Sequence, residues 1–234
     1  MTTTISLARS RTGSRPGSVR GPLAAGAGVR LVLPSYRPGE RPKGEALLSL
    51  AVLGRSNVGK STLLNALLGT KVARVSQTPG RTQALYWYRV GEKFDVVDCP
   101  GYGFAKTGKE KRDSFERLIE SLLLGSSEVG GAAQAGAKIP AASAALLLVD
   151  GRIPPQDSDL SMSLFLRESL VPTVVAATKW DAVKPSQRVR RERTLAAAYR
   201  DELRPLLPVS AETGENLPEL ARLLNAALTP ASKE

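Results

Sequence analysis

Apolar residues in this chain fall into short continuous runs, separated by longer stretches in which they recur every three or four positions. The first run is 48–53 (LSLAVL), and 60–68 (KSTLLNALL) carries leucines at helical spacing, so a strand followed by a helix is expected. Residues 84–90 (ALYWYRV) and 94–97 (FDVV) are β-branched or aromatic runs around Gly91 and predict an antiparallel pair. The segment 109–124 places Phe115, Leu118, Ile119 and Leu122 on one face, as a helix lying on a sheet requires. Further apolar runs at 144–149, 173–177 and 206–209 alternate with helical stretches near 158–168, 186–202 and 217–228. This alternation predicts an α/β fold: a mostly parallel sheet with one antiparallel strand and helices on both faces.

Composition changes that picture at its margins. A chain of 234 residues with 42% hydrophobic residues can bury one substantial core, and no run approaches the ~20 apolar residues of a membrane span. Histidine is absent and Cys99 is the sole cysteine, which argues against disulfide scaffolds, Cys/His zinc sites and histidine-based catalysis. Cys99 reads as a small buried apolar residue. The formal net charge of +11 points to a polyanionic partner, either RNA or an anionic membrane surface.

Residues 1–39 contain no acidic group and mix Arg, Ser, Gly and Pro without period, so 1–40 is expected to be a disordered basic arm. A nucleic-acid-binding arm, an organellar transit peptide and a plain polar tail are all compatible with it. The globular domain is then 41–229, interrupted by a low-complexity surface loop at 125–142 and followed by a tail at 230–234. Only six residues follow position 228, so a single folded domain is expected.

The chemistry is concentrated in five short segments. Residues 54–61 read GRSNVGKS, a phosphate-binding loop set between the expected strand and helix. Gly54 and Gly59 permit backbone conformations that side chains obstruct, while backbone N–H groups, a helix N-terminus and the Lys60 ammonium suit a triphosphate. TKWD at 178–181 follows the apolar run 173–177. Asp181 can accept hydrogen bonds from both N1–H and the exocyclic amino group of guanine, whereas adenine offers no such pair; an unpaired carboxylate costs several kcal/mol. The Lys179 stem can cover the base plane, and SAETG at 210–214 lets the Ala211 N–H approach the guanine carbonyl. In DCPG at 98–101, Asp98 ends an apolar strand facing the phosphates and suits water-mediated Mg²⁺ binding, and the Gly101 N–H can sense the γ-phosphate. Ser61 offers one direct metal oxygen, and Thr82, within TPGRTQ at 78–83, offers a second while the γ-phosphate is present.

Together GRSNVGKS, TPGRTQ, DCPGYG, TKWD and SAETG resemble the EngB-type (YihA or YsxC) family of ribosome-biogenesis GTPases, an Era-like branch of the P-loop GTPases, over residues 34–228. The resemblance implies a Ras-like domain, GTP/GDP and Mg²⁺ binding, GTP hydrolysis, and a role in assembling the large ribosomal subunit; the basic balance suits rRNA as partner, and a monomer is expected. By position, the family's nucleotide contacts fall first on Gly54, Arg55, Ser56, Asn57, Val58, Gly59, Lys60 and Ser61. They continue through Gly80, Arg81, Thr82, Gln83 and Ala84, then Asp98, Cys99, Pro100 and Gly101. The base-proximal contacts are Thr178, Lys179, Trp180 and Asp181, with Val209, Ser210 and Ala211. Lys60, Thr82 and Gly101 take the catalytic roles, and Ser61 and Thr82 ligate Mg²⁺, with Asp98 acting through water. The acid-free arm and the insert at 125–142 depart from a minimal member of the family.

Tyr102 stands where signalling GTPases usually place the glutamine that orients attacking water, so slow intrinsic hydrolysis is expected. Asn57 resembles the potassium-coordinating asparagine of related GTPases, and a K⁺ ion beside the phosphates would offset developing charge. Arg188, Arg190, Arg191 and Arg193 lie on one expected helix and are candidate RNA contacts, a solvated helix face being the plainer alternative. Two other functions compete: a switch for a protein effector without RNA, and an adenine-using P-loop enzyme, against which TKWD argues. A bacterial cytoplasm is the expected location, or an organelle if 1–40 is a transit peptide.

Overall fold

Apolar runs without polar interruption become strands buried on both sides, and the computed structural model places these at the centre of one sheet. It describes residues 23, 28–43, 47–69, 84–92, 94–103, 109–125, 142–199 and 205–229, with the side chains of 109–112 left out. The elements are β1 (Val29–Ser35), β2 (Leu48–Gly54), α1 (Lys60–Leu68), β3 (Leu85–Val90), β4 (Phe94–Asp98) and α2 (Lys109–Leu124). They continue as β5 (Ala144–Asp150), α3 (Asp157–Glu168), β6 (Thr173–Thr178), a 3₁₀ turn (Trp180–Ala182), α4 (Pro185–Tyr199), β7 (Leu206–Pro208) and α5 (Leu217–Leu228).

The strand order is β1-β3-β4-β2-β5-β6-β7. β3 runs against both neighbours, β1 and β4, and the remaining pairings are parallel. Alternation along the strands sorts their side chains into two cores. Leu50, Val52, Leu146, Leu148, Val174 and Ala176 meet α1 and α5 on one face. Ala51, Leu53, Leu147, Val149, Val175 and Ala177 meet α2, α3 and α4 on the other. Across β3 and β4, Arg89 and Asp95 face each other in register and form a two-pronged ion pair at 2.8 and 2.9 Å. Among the described residues no helix is long and apolar enough to cross a membrane.

One expectation needs correction. The basic arm was expected through residue 40, yet Val29–Ser35 is an edge strand paired with β3, and Leu23 is buried in the α1/α5 core. The segment VRLVLPS has strand-forming residues, but Arg30 and Pro34 and the surrounding basic composition mask it. Pro34 is tolerated because an edge strand has an unpaired side. The insert expected at 125–142 lies outside the described residues, apart from positions 125 and 142 at its ends.

Candidate nucleotide-binding site

Parallel strands deliver their C-terminal ends to one edge, where open α/β sheets bind ligands. Here that edge holds Gly54, Asp98, Asp150 and Thr178, the last residues of β2, β4, β5 and β6. The phosphate loop turns there because larger residues do not fit. A Cβ on Gly54 would lie 2.9 Å from Val58 Cγ1 and 3.0 Å from the Leu148 carbonyl oxygen. Asn57 and Gly59 adopt left-handed backbone angles, φ 64° and 101°. The Gly59 carbonyl then accepts the Leu63 N–H at 2.9 Å, so α1 begins with Lys60 and Ser61, and the N–H groups of its first turn have no partner within the helix.

Asp98 is buried beside this loop, in register with Val52, and its Oδ1 has no hydrogen-bond partner among the described residues. Burial pushes its carboxyl up to about 6, against the pull of the Lys60 ammonium. Cys99 is fully buried, and desolvation raises its thiol far above the ordinary range, as befits an inert core residue. Pro100 is buried too, and Gly101 presses on the phosphate loop: a Cβ there would stand 2.5 Å from Ser56 Oγ and 2.8 Å from Ser56 N. The Ser56 N–H donates to the Tyr102 carbonyl at 3.2 Å.

A carboxylate that sequence reading missed organises this corner. Asp159, in the first turn of α3 and 1% exposed, accepts the Tyr102 hydroxyl at 3.0 Å and the Arg55 Nε–H at 2.9 Å. Burial and the Asp159 carboxylate hold the Tyr102 phenol well above its usual pKa, so it stays a donor. Nothing in DSDLS marks the second acid as buried; only packing of α3 against the loop turns it inward.

The TKWD loop is tied to the phosphate loop from two sides. The buried Thr178 hydroxyl lies 2.6 Å from the Val58 carbonyl and 3.1 Å from that of Val149. The Lys179 ammonium donates to the Asn57 carbonyl at 2.5 Å and to Asp150 Oδ2 at 3.0 Å. Burial would raise the Asp150 carboxyl, but hydrogen bonds from Arg152 and Lys179 outweigh it and hold the group at about 2. Trp180 is buried, and its backbone N–H donates to the Val209 carbonyl at 3.1 Å. Asp181 faces solvent and accepts the Ser210 hydroxyl at 2.6 Å, while Ala211 follows half-buried. Arg188, expected among RNA-facing arginines, turns instead onto Trp180 and Glu215, because its long stem reaches back from the first turn of α4. Arg190 and Arg193 are exposed. Gly80, Arg81, Thr82 and Gln83 lie outside the described residues, and Ala84 is buried at the start of β3.

A sequence profile described as 50S ribosome-binding GTPase matches residues 49–179. The probable GTP-binding protein EngB of Thermotoga maritima is 39% identical over 206 residues, covering 86% of this chain and 96% of the relative. The chain belongs to the EngB family of GTP-binding proteins. Another EngB relative, from Acidobacterium capsulatum, is 41% identical over 177 residues, 73% of this chain and 77% of its own. The crystal structure of Era in complex with MgGDPNP and nucleotides 1506–1542 of 16S ribosomal RNA matches with a TM-score of 0.58 at 26% identity, over 80% of this chain and 59% of Era. A crystal structure of a probable EngB matches with a TM-score of 0.53 at 24% identity, over 77% of this chain and 98% of that one, which speaks for the fold alone. As an EngB-family protein the chain binds GTP and is a GTPase.

Proposed function

We propose that this EngB-family GTPase is a slow guanine-nucleotide switch that acts in assembly of the large ribosomal subunit. The observation that carries the site reading is Lys179, whose ammonium joins the phosphate loop at Asn57 to the end of β5 at Asp150. That tie sets Asp181 beside the loop bearing Lys60, so a guanine on the first and a triphosphate on the second belong to one ligand. In this reading the N–H groups of residues 57–61 and the Lys60 ammonium hold phosphate oxygens, and the Ala211 N–H meets the guanine carbonyl. The Gly101 N–H meets the γ-phosphate.

The buried Oδ1 of Asp98, without a hydrogen-bond partner among the described residues and beside Lys60, fits a hydrated Mg²⁺, with Ser61 and Thr82 supplying hydroxyl ligands. Bound there, the ion would neutralise charge on the β- and γ-phosphates. Asn57 is the proposed K⁺ ligand, and equal turnover in potassium and sodium buffers removes that assignment. Slow hydrolysis follows from Tyr102, whose hydroxyl is engaged by Asp159 and does not orient water.

The ribosomal role rests on the 50S ribosome-binding description of the family profile together with the net charge of +11. The globular domain in this reading starts with β1 and ends with α5, in the cytoplasm of a bacterium. Pull-down of ribosomal precursors with a non-hydrolysable GTP analogue tests it, with Lys60→Ala as control. Large-subunit precursors should be retained by the wild type and lost by the variant. Retention of small-subunit particles alone, or binding that ignores nucleotide, overturns the assignment.

A further inference from the structure

Two loops that approach a guanine base must keep a fixed separation, yet β6 and β7, which carry them, share only a short ladder from Val175↔Leu206 to Ala177↔Pro208. Beyond it the Trp180 backbone N–H donates to the Val209 carbonyl, and the Ser210 hydroxyl donates to Asp181. The Arg188 guanidinium adds a third tie from a different element. One of its terminal nitrogens donates to the Trp180 carbonyl at 3.1 Å and the other to Glu215 Oε1 at 3.0 Å. Its Nε–H reaches the Val183 carbonyl at 3.3 Å, and the plane sits 5.9 Å from the centre of the Trp180 ring. Glu215 is itself bound into the SAETG turn, where its carbonyl accepts the Ser210 N–H at 3.1 Å.

These bonds close a ring. It runs from Arg188 to Trp180, along the chain to Asp181, across to Ser210, on to Glu215 and back to Arg188. We propose that Arg188 is a positioning residue for guanine recognition: its forked cation fixes Asp181 against the Ser210–Ala211 backbone and thereby sets how long GDP is held. The proposal rests on Asp181 as the guanine contact. A fork is required because carbonyl and carboxylate lie on separate loops, whereas a lysine ammonium is a single point of charge. The fold does not depend on this group, since α4 is anchored through Leu195 and Tyr199 and the Arg188 side chain is 32% exposed.

The test uses the full chain with Arg188→Gln, Arg188→Lys, Glu215→Gln and the Arg188→Gln/Glu215→Gln double variant. GDP should leave roughly tenfold faster from Arg188→Gln, the factor expected from one lost charge-assisted bond. The preference for GDP over IDP, which lacks the exocyclic amino group, should fall, and Arg188→Lys should restore little. Single-turnover hydrolysis of prebound GTP should be unchanged, and the rise in GDP release should exceed what the small loss of nucleotide-free stability accounts for. The double variant should resemble the single ones, because either change opens the same ring. Release rates and GDP/IDP ratios within twofold of wild type in all variants overturn the proposal. So does faster release that simply tracks lower nucleotide-free stability. Asp181→Asn separates the two levels: a switch toward xanthine nucleotides supports the guanine-site reading independently of Arg188, and no switch overturns that reading and the ring's role with it.

Discussion

Asp159 and Asp150 are both buried acids at the site edge, and their surroundings make them respond differently to change. Asp159 is the shared acceptor for Arg55 and Tyr102, so Asp159→Ala strands a partly buried guanidinium and a phenol. The expected cost is about 3 kcal/mol of unfolding free energy, measured by denaturant titration, with Asp159→Asn losing less because the amide oxygen still accepts from Tyr102. Asp150 is held at about 2 by Arg152 and Lys179, below the ordinary carboxylate value near 3.8. A depressed folded-state value contributes stability above the unfolded value, and that stability is lost as pH falls through the folded one. Between pH 5 and pH 2, on the scale of that shift, the wild type should therefore lose stability that Asp150→Asn never had, and the gap between their denaturant midpoints should narrow. TKWD and GRSNVGKS stand out in the sequence as candidate ligand contacts because backbone and side-chain chemistry dictates the composition of such segments. Asp159 and Asp150 do not, since an acid reads the same in sequence whether it faces water or a buried guanidinium.

At the scale of elements, hydrophobic period decided nearly everything that is buried on both faces. Lys60–Leu68, Lys109–Leu124 and Leu217–Leu228 form helices with the expected bounds, because their apolar residues recur at helical spacing. Strand β1 lacks that signal: a register shift between Leu31 and Leu33 breaks its alternation, and most of its residues are only partly buried or exposed. Pairing with β3 then specifies it, since Leu33 packs on the α2 side and Val29 on the α1 side. In the adjacent hairpin, Arg89 and Asp95 are a buried cross-strand pair, 12% and 5% exposed at their side chains. Asp95→Ala leaves the Arg89 cation unpaired between strands and should cost about 3 to 5 kcal/mol, read as a lowered unfolding midpoint. Replacing both residues with apolar ones of similar volume should recover most of that loss.

For the whole molecule, the net charge of +11 and the exposed Arg190 and Arg193 on α4 predict a salt-sensitive attachment to RNA. Arg190→Gln/Arg193→Gln should weaken co-sedimentation with ribosomal precursors and flatten the plot of log affinity against log salt by about two, while GDP release stays unchanged. An unaltered salt slope would assign these arginines to a solvated face. The same helix thus divides its arginines, with Arg188 turned to the TKWD and SAETG loops and Arg190 and Arg193 to solvent. By itself the sequence determined the alternation of strands and helices, the phosphate loop and the family, and it marked TKWD as the candidate base contact, because each depends on residues close together in the chain. The tertiary structure alone decided that Asp159 gathers Arg55 and Tyr102, that Lys179 joins Asn57 to Asp150, and that Arg188 closes a ring through Glu215. Those partners are 27 to 122 positions apart in the chain. Burial and pairing of charge across such distances follow from which strand ends the sheet brings to one edge, and no local pattern encodes that.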